Sequence, residues 1–258
     1  MTAPRIHKRC LLGYLLVVIL SVGCTPRELT RAKDLFNQAS TFRVSGEDDR
    51  AAQAYRESVG AFQKVIAKET KDPRYPGNLQ VLAQAYALTA FAQIELGQFD
   101  DAEATIEQGS SILLNANPRE RELFFVLSGI LQTARAAKLN KRGRFQQDVV
   151  DLYREAAATF ETLRKMPGVE QDSDVLVYAL EAEAISYGNI ATEYVADFAV
   201  NRGASSLDKA IEYLQKAKAT CEQLLALIPD KNRPYTQYLL NQYTRELNLA
   251  KRRKESLS

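Results

Sequence analysis

The chain of 258 residues has no tryptophan, one histidine and three cysteines. The histidine is His7, and the cysteines are Cys10, Cys24 and Cys221. Most nucleophilic and metal-dependent chemistry in proteins relies on histidine, cysteine or clustered carboxylates, so a catalytic or metal site has few residues to draw on here. The sequence also contains no glycine-rich phosphate-binding loop. We therefore predict that the protein is not an enzyme and has no catalytic residues, no metal site and no cofactor.

Paired carboxylates leave one catalytic alternative open. Asp100 and Asp101 stand at a predicted helix start, where acidic residues interact favourably with the helix dipole. Glu181 and Glu183 are two residues apart, so their side chains diverge on a helix. The sequence alone leaves open a glycosidase-type pair whose two carboxylates come from different helices.

The sequence also lacks any segment in which apolar and polar residues alternate with the period of two that is typical of a strand. Apolar residues instead recur three and four positions apart, as they do on helices. The predicted helices are 27–42, 48–69, 78–96, 100–114, 118–139, 145–165, 174–200, 206–228 and 234–254. The predicted caps are Asn117, Ser173 or Asp174, and Ser205 or Ser206. Nine helices make four hairpins and one closing helix.

Four of these helices share one pattern. A large apolar residue and two further residues precede a small residue, and packing residues follow the small residue at four and seven positions. The small residues are Ser58, Ala102, Ala156 and Ala210, and the last three are spaced 54 apart. Such repetition is typical of helical repeat proteins. We therefore predict an all-α fold of about four helical hairpins and a C-terminal closing helix.

The turn Gly97-Gln-Phe-Asp-Asp-Ala102 resembles the signature turn of tetratricopeptide repeats, in which Gly-x-Tyr/Phe-x-x-Ala joins the two helices. Residues 208–217 resemble the second helix of that repeat. The chain departs from the family in having no tryptophan, in lacking a Leu-Gly pair near Thr89 and in its spacing of 54 instead of about 34. The resemblance implies an α-solenoid of degenerate tetratricopeptide-like repeats over residues 24–258.

The first residues follow a different pattern. Arg5, Lys8 and Arg9 precede an apolar run over residues 10–22, which is shorter than the ~20 residues that cross a bilayer. The run ends in Ser-Val-Gly-Cys24, and polar residues follow at once. This segment resembles a bacterial lipoprotein signal peptide over residues 1–23. The alternative is an ordinary secretory signal or an uncleaved anchor.

The resemblance implies cleavage before Cys24, a diacylglycerol on its sulfur and acylation of the new amino group. Two or more acyl chains anchor a protein stably to a membrane. Thr25, where the family uses aspartate to retain proteins in the inner membrane, implies sorting to the outer membrane. We therefore expect a lipid-anchored protein of the bacterial cell envelope, on the outer membrane and facing the periplasm.

Charge gives little indication of a nucleic-acid partner. The formal net charge is +2, and without residues 1–23 the chain has 31 basic and 32 acidic side chains. Such a balance lacks the basic excess that nucleic-acid binding requires. One basic cluster lies at 251–254, where it either stabilises a helix C-terminus or contacts anionic lipid headgroups or an acidic partner.

Taken together, these features predict a scaffold that binds a protein or peptide partner on a curved helical surface. The alternative is a periplasmic carrier of a small ligand, held in an apolar pocket between hairpins. Seven of the twelve tyrosines lie in the last third of the chain, where they serve helix packing or a binding groove. Four residues of the longest helix are the predicted partner-binding residues: Tyr178, Glu181, Asn189 and Glu193. The two glutamates favour a basic or amine-bearing partner.

Overall fold

A computed structural model describes residues 27–71, 79–112, 118–140, 144–229 and 233–257, without the side chains of residues 118–120, 171 and 173. The predicted signal peptide and Cys24 lie outside the described residues. Nine α-helices and one short 3₁₀ turn, Val169–Gln171, make up the regular structure of this part of the chain, which contains no strand. The helices are α1 (Arg27–Val44), α2 (Asp48–Glu69), α3 (Leu79–Glu95), α4 (Phe99–Ile112), α5 (Pro118–Leu139), α6 (Gln147–Arg164), α7 (Ser173–Asn201), α8 (Ala204–Leu227) and α9 (Arg233–Glu255). The predicted all-α fold is confirmed over these residues.

The helix caps differ from the predicted ones. Asp172 caps α7, because its carboxylate accepts hydrogen bonds from the amides of Asp174 and Val175. Gly203 stands at the cap of α8 and offers no side chain. Ser206, predicted as a cap, instead donates its hydroxyl to the carboxylate of Asp197 near the end of α7. Both predictions were therefore off by one to three residues, and the predicted cap Asn117 lies outside the described residues.

The turn at Gly97 ends α3 and leads into α4. Gly97 is left-handed with φ 73°, and the amides of Gly97 and Gln98 bond to the carbonyls of Ile94 and Gln93. This double hydrogen bond is the Schellman motif that ends a helix. Gly46, with φ 80°, closes the α1–α2 turn in the same way. One turn geometry therefore joins two successive helix pairs.

The described residues fall into two compact units, one ending at Leu131 and one beginning at Gln132, so α5 contributes to both. In the first unit α1 packs on α2, α2 on α3, and α3 on α4. Its core is aromatic: the ring of Phe36 meets Tyr55, Phe62 and Phe91 edge-on, with centroids 5.6, 6.5 and 5.8 Å away.

In the second unit α7 packs between α6 and α8, and α9 covers α8. Ala184, Ile185, Leu214 and Leu239 are among the buried residues of the core that joins α7, α8 and α9. Gly188 lets α7 approach α9, because a Cβ atom at this position would come within 2.4 Å of the Tyr243 ring. The centre of this unit is therefore α7, which contacts its neighbours on several sides.

The small residues aligned by the sequence pattern all lie in the interior. Ala102, Ala156 and Ala210 have no exposed surface, and Ser58 is equally buried. Each stands on the second helix of a pair, on α4, α6, α8 and α2 respectively. The residue four positions later is buried in every case, as the pattern predicts: Phe62, Ile106, Phe160 and Leu214.

Candidate partner-binding helix

The helix α7 carries all four predicted partner-binding residues, and it is buried over most of its length. Between Val175 and Tyr194 the only exposed side chain is that of Thr192. Tyr178 and Asn189 are each 7% exposed and Glu193 is 4% exposed. A side chain that binds a partner must be accessible, so this burial counts against three of the four predicted partner-binding residues. The buried surface of α7 is wider than a single row of residues three and four positions apart, because helices pack against α7 from several directions.

Tyr178 is part of the interior between α6 and α7. Its ring meets Phe160 edge-on at a centroid distance of 5.8 Å and an interplanar angle of 81°. Phe160 is itself fully buried and belongs to the repeated pattern. Such aromatic pairs contribute about 0.5–1.5 kcal/mol beyond the area they bury. Tyr178 therefore contributes to folding in the place where the sequence suggested a binding contact.

Glu193 holds the connection between α5 and α6. One carboxylate oxygen accepts a hydrogen bond from the Asn140 side chain at 2.6 Å, and the other accepts from the Gln146 amide at 3.3 Å. Burial raises the pKa of Glu193, and these two hydrogen bonds oppose that rise. Asn189, the other predicted residue on this part of α7, is buried one turn before Glu193. Both oxygens of Glu193 are thus engaged inside the fold.

The charge of Glu183 is also compensated within the protein. Its carboxylate accepts a hydrogen bond from Arg164 Nε at 2.8 Å, and its side chain is only 3% exposed. Burial raises the pKa of Glu183, while the charge and hydrogen bond of Arg164 lower it. The ion pair joins the end of α6 to the middle of α7. Sequence reasoning did not identify this pair, because 19 positions separate its two members.

Glu181 differs from the other acids of α7. It is half-buried, and no hydrogen bond or ion pair joins its carboxylate to another of the described residues. Burial raises the pKa of Glu181 from 4.5 to about 7. It lies close enough to Cys221 of α8 and Tyr243 of α9 for its charge to raise the pKa of both. Glu181 is therefore a carboxylate in a poorly solvated place whose charge the described residues do not compensate.

The four predicted residues do not form a single cluster. Tyr178 faces Phe160, Glu181 lies near Cys221 and Tyr243, and Glu193 reaches Asn140 and Gln146. Tyr178 and Glu193 are fifteen residues apart, which is about 22 Å along a helix. Of the four, Glu181 alone combines partial exposure with unused hydrogen-bonding capacity.

A cluster of tyrosines and cations lies where α6, α7 and α8 meet. Tyr194 and Tyr213 stack with centroids 6.1 Å apart and planes 16° apart. Arg154 donates hydrogen bonds to both hydroxyls, at 2.5 and 3.0 Å. Lys209 lies over the Tyr194 ring and Lys216 over the Tyr213 ring, at 5.0 and 4.8 Å from the centroids. These two tyrosines therefore serve helix packing, which was one of the two readings that the sequence left open.

Sequence reasoning missed the cations of this cluster. Lys209 and Lys216 are seven residues apart and so share one face of α8, with Tyr213 between them. That spacing was the available signal. Another was Arg154 in Tyr153-Arg154-Glu155, which repeats the sequence at 55–57. The sequence did not indicate that Arg154 of α6 and the two lysines of α8 meet at the same pair of tyrosine rings.

The described residues contain no group of three or more histidine, cysteine, aspartate or glutamate side chains able to hold a metal ion. None of their helices combines the length and the apolar character needed to cross a membrane. No protein-family model and no characterised protein matches the sequence.

Proposed function

We propose that this protein is an envelope-anchored lipoprotein scaffold whose tetratricopeptide-like hairpins bind a protein or peptide partner. The lipobox-like sequence that ends at Cys24 supports the anchor. The signature turn at Gly97 and the four buried small residues of the repeated pattern support the repeats. Binding takes place on α7 and the helices packed around it, and it involves no catalysis and no cofactor.

The observation that carries the binding role is the contrast among three acids of α7. Glu183 has Arg164, and Glu193 has Asn140 and a backbone amide. Glu181 has no such partner within the described part of the chain, although burial makes its charged form unfavourable. A partner that brings an ammonium or guanidinium group to Glu181 supplies the missing charge and a charge-assisted hydrogen bond. The partner is therefore a protein or peptide with a lysine, an arginine or a free amino terminus.

The test is capture of the partner by crosslinking in native membranes, followed by purification of the full chain. Glu181→Gln keeps the shape and removes the charge, so it lowers recovery of the partner severalfold. Glu107→Gln, an exposed glutamate of α4, is the matched control and leaves recovery unchanged. Tyr178→Phe keeps the aromatic contact with Phe160 and separates a role of the hydroxyl from one of the ring. Full recovery with Glu181→Gln in a stably folded chain removes Glu181 from the binding site.

The anchor has a test of its own. Cys24 is the residue that takes the thioether lipid, so Cys24→Ser blocks lipidation and signal cleavage. The expected product is a larger precursor that no longer incorporates labelled fatty acid. Cys10→Ser is the control, because this cysteine lies inside the predicted signal peptide and leaves processing intact. Unchanged labelling of the Cys24→Ser variant would contradict the lipoprotein assignment.

A further inference from the structure

The outer face of α9 differs from every helix face described so far. Its inner face packs on the second unit through Leu239, Tyr243, Leu247 and Ala250, all of them buried. On the opposite side, residues three, four and seven positions apart form one row. This row, named here the α9 outer face, consists of Tyr238, Asn241, Arg245, Asn248, Leu249 and Arg252. It contains no carboxylate.

The α9 outer face is open and basic. Tyr238 is 60% and Leu249 is 37% exposed, both large for apolar side chains. Arg245 and Arg252 are exposed and form no ion pair with another of the described residues. From Arg233 to Leu257 the chain has six basic and two acidic side chains. Of the basic ones, Lys254 is occupied by an ion pair with Asp208 of α8.

Five of the six residues of the α9 outer face, all except Tyr238, line a shallow depression of about 480 Å³ together with Thr244. Among the residues that the structure describes, only those of α9 line it, so this part of the surface is a dimple on a convex helix. A convex surface of this kind fits a flat partner better than an inserted peptide. The row from Tyr238 to Arg252 spans fourteen residues, about 21 Å along the helix.

We infer that the α9 outer face docks on an anionic phospholipid surface. Arginine guanidinium groups match the geometry of lipid phosphates and can donate two parallel hydrogen bonds to them. Tyrosine is enriched at the headgroup level, and an exposed leucine between arginines enters the acyl boundary while the arginine stems extend along it. A basic face interrupted by exposed apolar residues is typical of interfacial helices. An acidic protein would use the charges but would not require Tyr238 and Leu249 in the same row.

This inference adds a second membrane contact to the proposed anchoring and rests on it only for the place where the protein meets lipid. The test therefore uses the full chain with Cys24→Ser, so that thioether lipidation has no part in the result. Partitioning is measured by co-sedimentation with vesicles of phosphatidylcholine and with vesicles that also contain phosphatidylglycerol. Arg5, Lys8 and Arg9 beside the apolar run at 10–22 also favour anionic vesicles, but every variant keeps them. The comparison of the α9 variants with their matched control therefore reports the contact of the α9 outer face.

The expected result is stronger partitioning into the anionic vesicles, lost at high salt. Each basic side chain at such a surface contributes about fivefold, so Arg245→Gln with Arg252→Gln lowers the partition coefficient about 25-fold. The matched control is Arg56→Gln with Lys64→Gln, two exposed cations of α2, and it changes the value less than about twofold. Leu249→Ser retains all charges and lowers partitioning about fourfold.

Three results would overturn the inference. Equal partitioning into both vesicle types would remove the anionic contact. Equal losses in the α9 pair and in the α2 pair would reduce the effect to overall charge. The third result is that Arg245→Gln with Arg252→Gln leaves vesicle binding unchanged but abolishes capture of an acidic protein. The α9 outer face would then bind that protein. Circular dichroism and thermal melting of each variant confirm that the fold is intact, as expected for exposed side chains.

Discussion

The central helices of the two units, α3 and α7, are buried to a similar degree but differ in their polar residues. Every residue of α3 from Leu82 to Ile94 is buried, and the polar ones are Gln84, Thr89 and Gln93. The polar residues of α7 include the buried Glu183 and Glu193 and the half-buried Glu181. Helix α3 thus places uncharged polar groups in the interior of its unit, whereas α7 places acids in the interior of the other.

The polar side chains of α3 and α7 differ in the partners that they require. In α3, Thr89 bonds to the Ala85 carbonyl at 2.7 Å, and Gln93 accepts from Thr105 at 2.8 Å. Neutral groups such as these are satisfied by one local bond. A buried carboxylate requires an opposite charge or several donors. Arg164 supplies the charge to Glu183, and Asn140 and the Gln146 amide supply donors to Glu193, but no described residue does so for Glu181. An incompletely compensated charge in an otherwise compensated helix is the feature that favours a binding role.

The largest effect is expected from Arg164→Met, which leaves Glu183 buried without its counter-charge. Removing one member of a buried ion pair costs about 3–5 kcal/mol, and partial exposure of Arg164 places the expected loss near 3 kcal/mol at pH 8. Urea unfolding measures it. Lys165→Met, which breaks the exposed pair with Glu161, costs less than about 1 kcal/mol. Adding Glu183→Gln to Arg164→Met recovers much of the loss, and failure to recover would show that Arg164 acts through packing.

A comparison of the repeated alanines tests whether the two units are built alike. Ala102 in α4 and Ala210 in α8 are both completely buried. Leucine at either position overpacks the contact with the preceding helix, at about 1–3 kcal/mol. Similar losses of melting temperature in Ala102→Leu and Ala210→Leu are expected, whereas Glu103→Gln on the surface of α4 has no effect. If both alanines accept leucine without loss, the repeat register is wrong.

The sequence predicted the helices better than the site, for a physical reason. Helix bounds such as Asp48–Glu69 follow from local periodicity and from breakers such as Gly97, which neighbouring residues determine. The environment of a polar residue on α7 depends instead on helices distant in sequence. Tyr178 packs on Phe160 of α6, and Glu193 bonds to Asn140 and to the Gln146 amide, and local periodicity reveals neither environment. Glu181 stays a predicted binding residue, and its different environment from that of Glu183 depends on the fold and not on local sequence.

The pH dependence of stability distinguishes Glu181 from the rest of α7. Because the folded state holds this proton up to about pH 7 and the unfolded chain releases it near 4.5, Glu181 lowers the free energy of unfolding as pH rises through that window. We expect about 1–2 kcal/mol, less than the roughly 3 kcal/mol of the full shift, because the carboxyl is only partly buried. Burial raises the pKa of Cys221 to about 12 and raises the pKa of Tyr243 well above its usual range, so neither neighbour titrates there.

The measurement is the difference between the wild-type chain and Glu181→Gln in urea unfolding at pH 5 and pH 8. The raised pKa values of Glu183 and Glu193 add slopes of the same sign in both proteins, and these cancel in the difference. Glu181→Gln is expected to be the more stable protein at pH 8 and nearly equal at pH 5. The corresponding change in α3, Gln84→Glu, should introduce a pH dependence of the same sign. Parallel curves for wild type and Glu181→Gln would show that the carboxyl is solvated.

The smallest effect concerns two buried tyrosines, one in each unit. The hydroxyl of Tyr55 shares a hydrogen bond with Ser40 at 3.2 Å, whereas that of Tyr243 is buried and has no hydrogen-bond partner among the described residues. Tyr55→Phe leaves Ser40 without this partner and should cost about 1 kcal/mol. Tyr243→Phe removes a polar atom that makes no bond, so it should be neutral or stabilise by less than about 1 kcal/mol. Thermal melting of the two variants under identical conditions gives the comparison. A loss at Tyr243 as large as that at Tyr55 would mean that the Tyr243 hydroxyl is bonded in solution, and it would remove this contrast between the units.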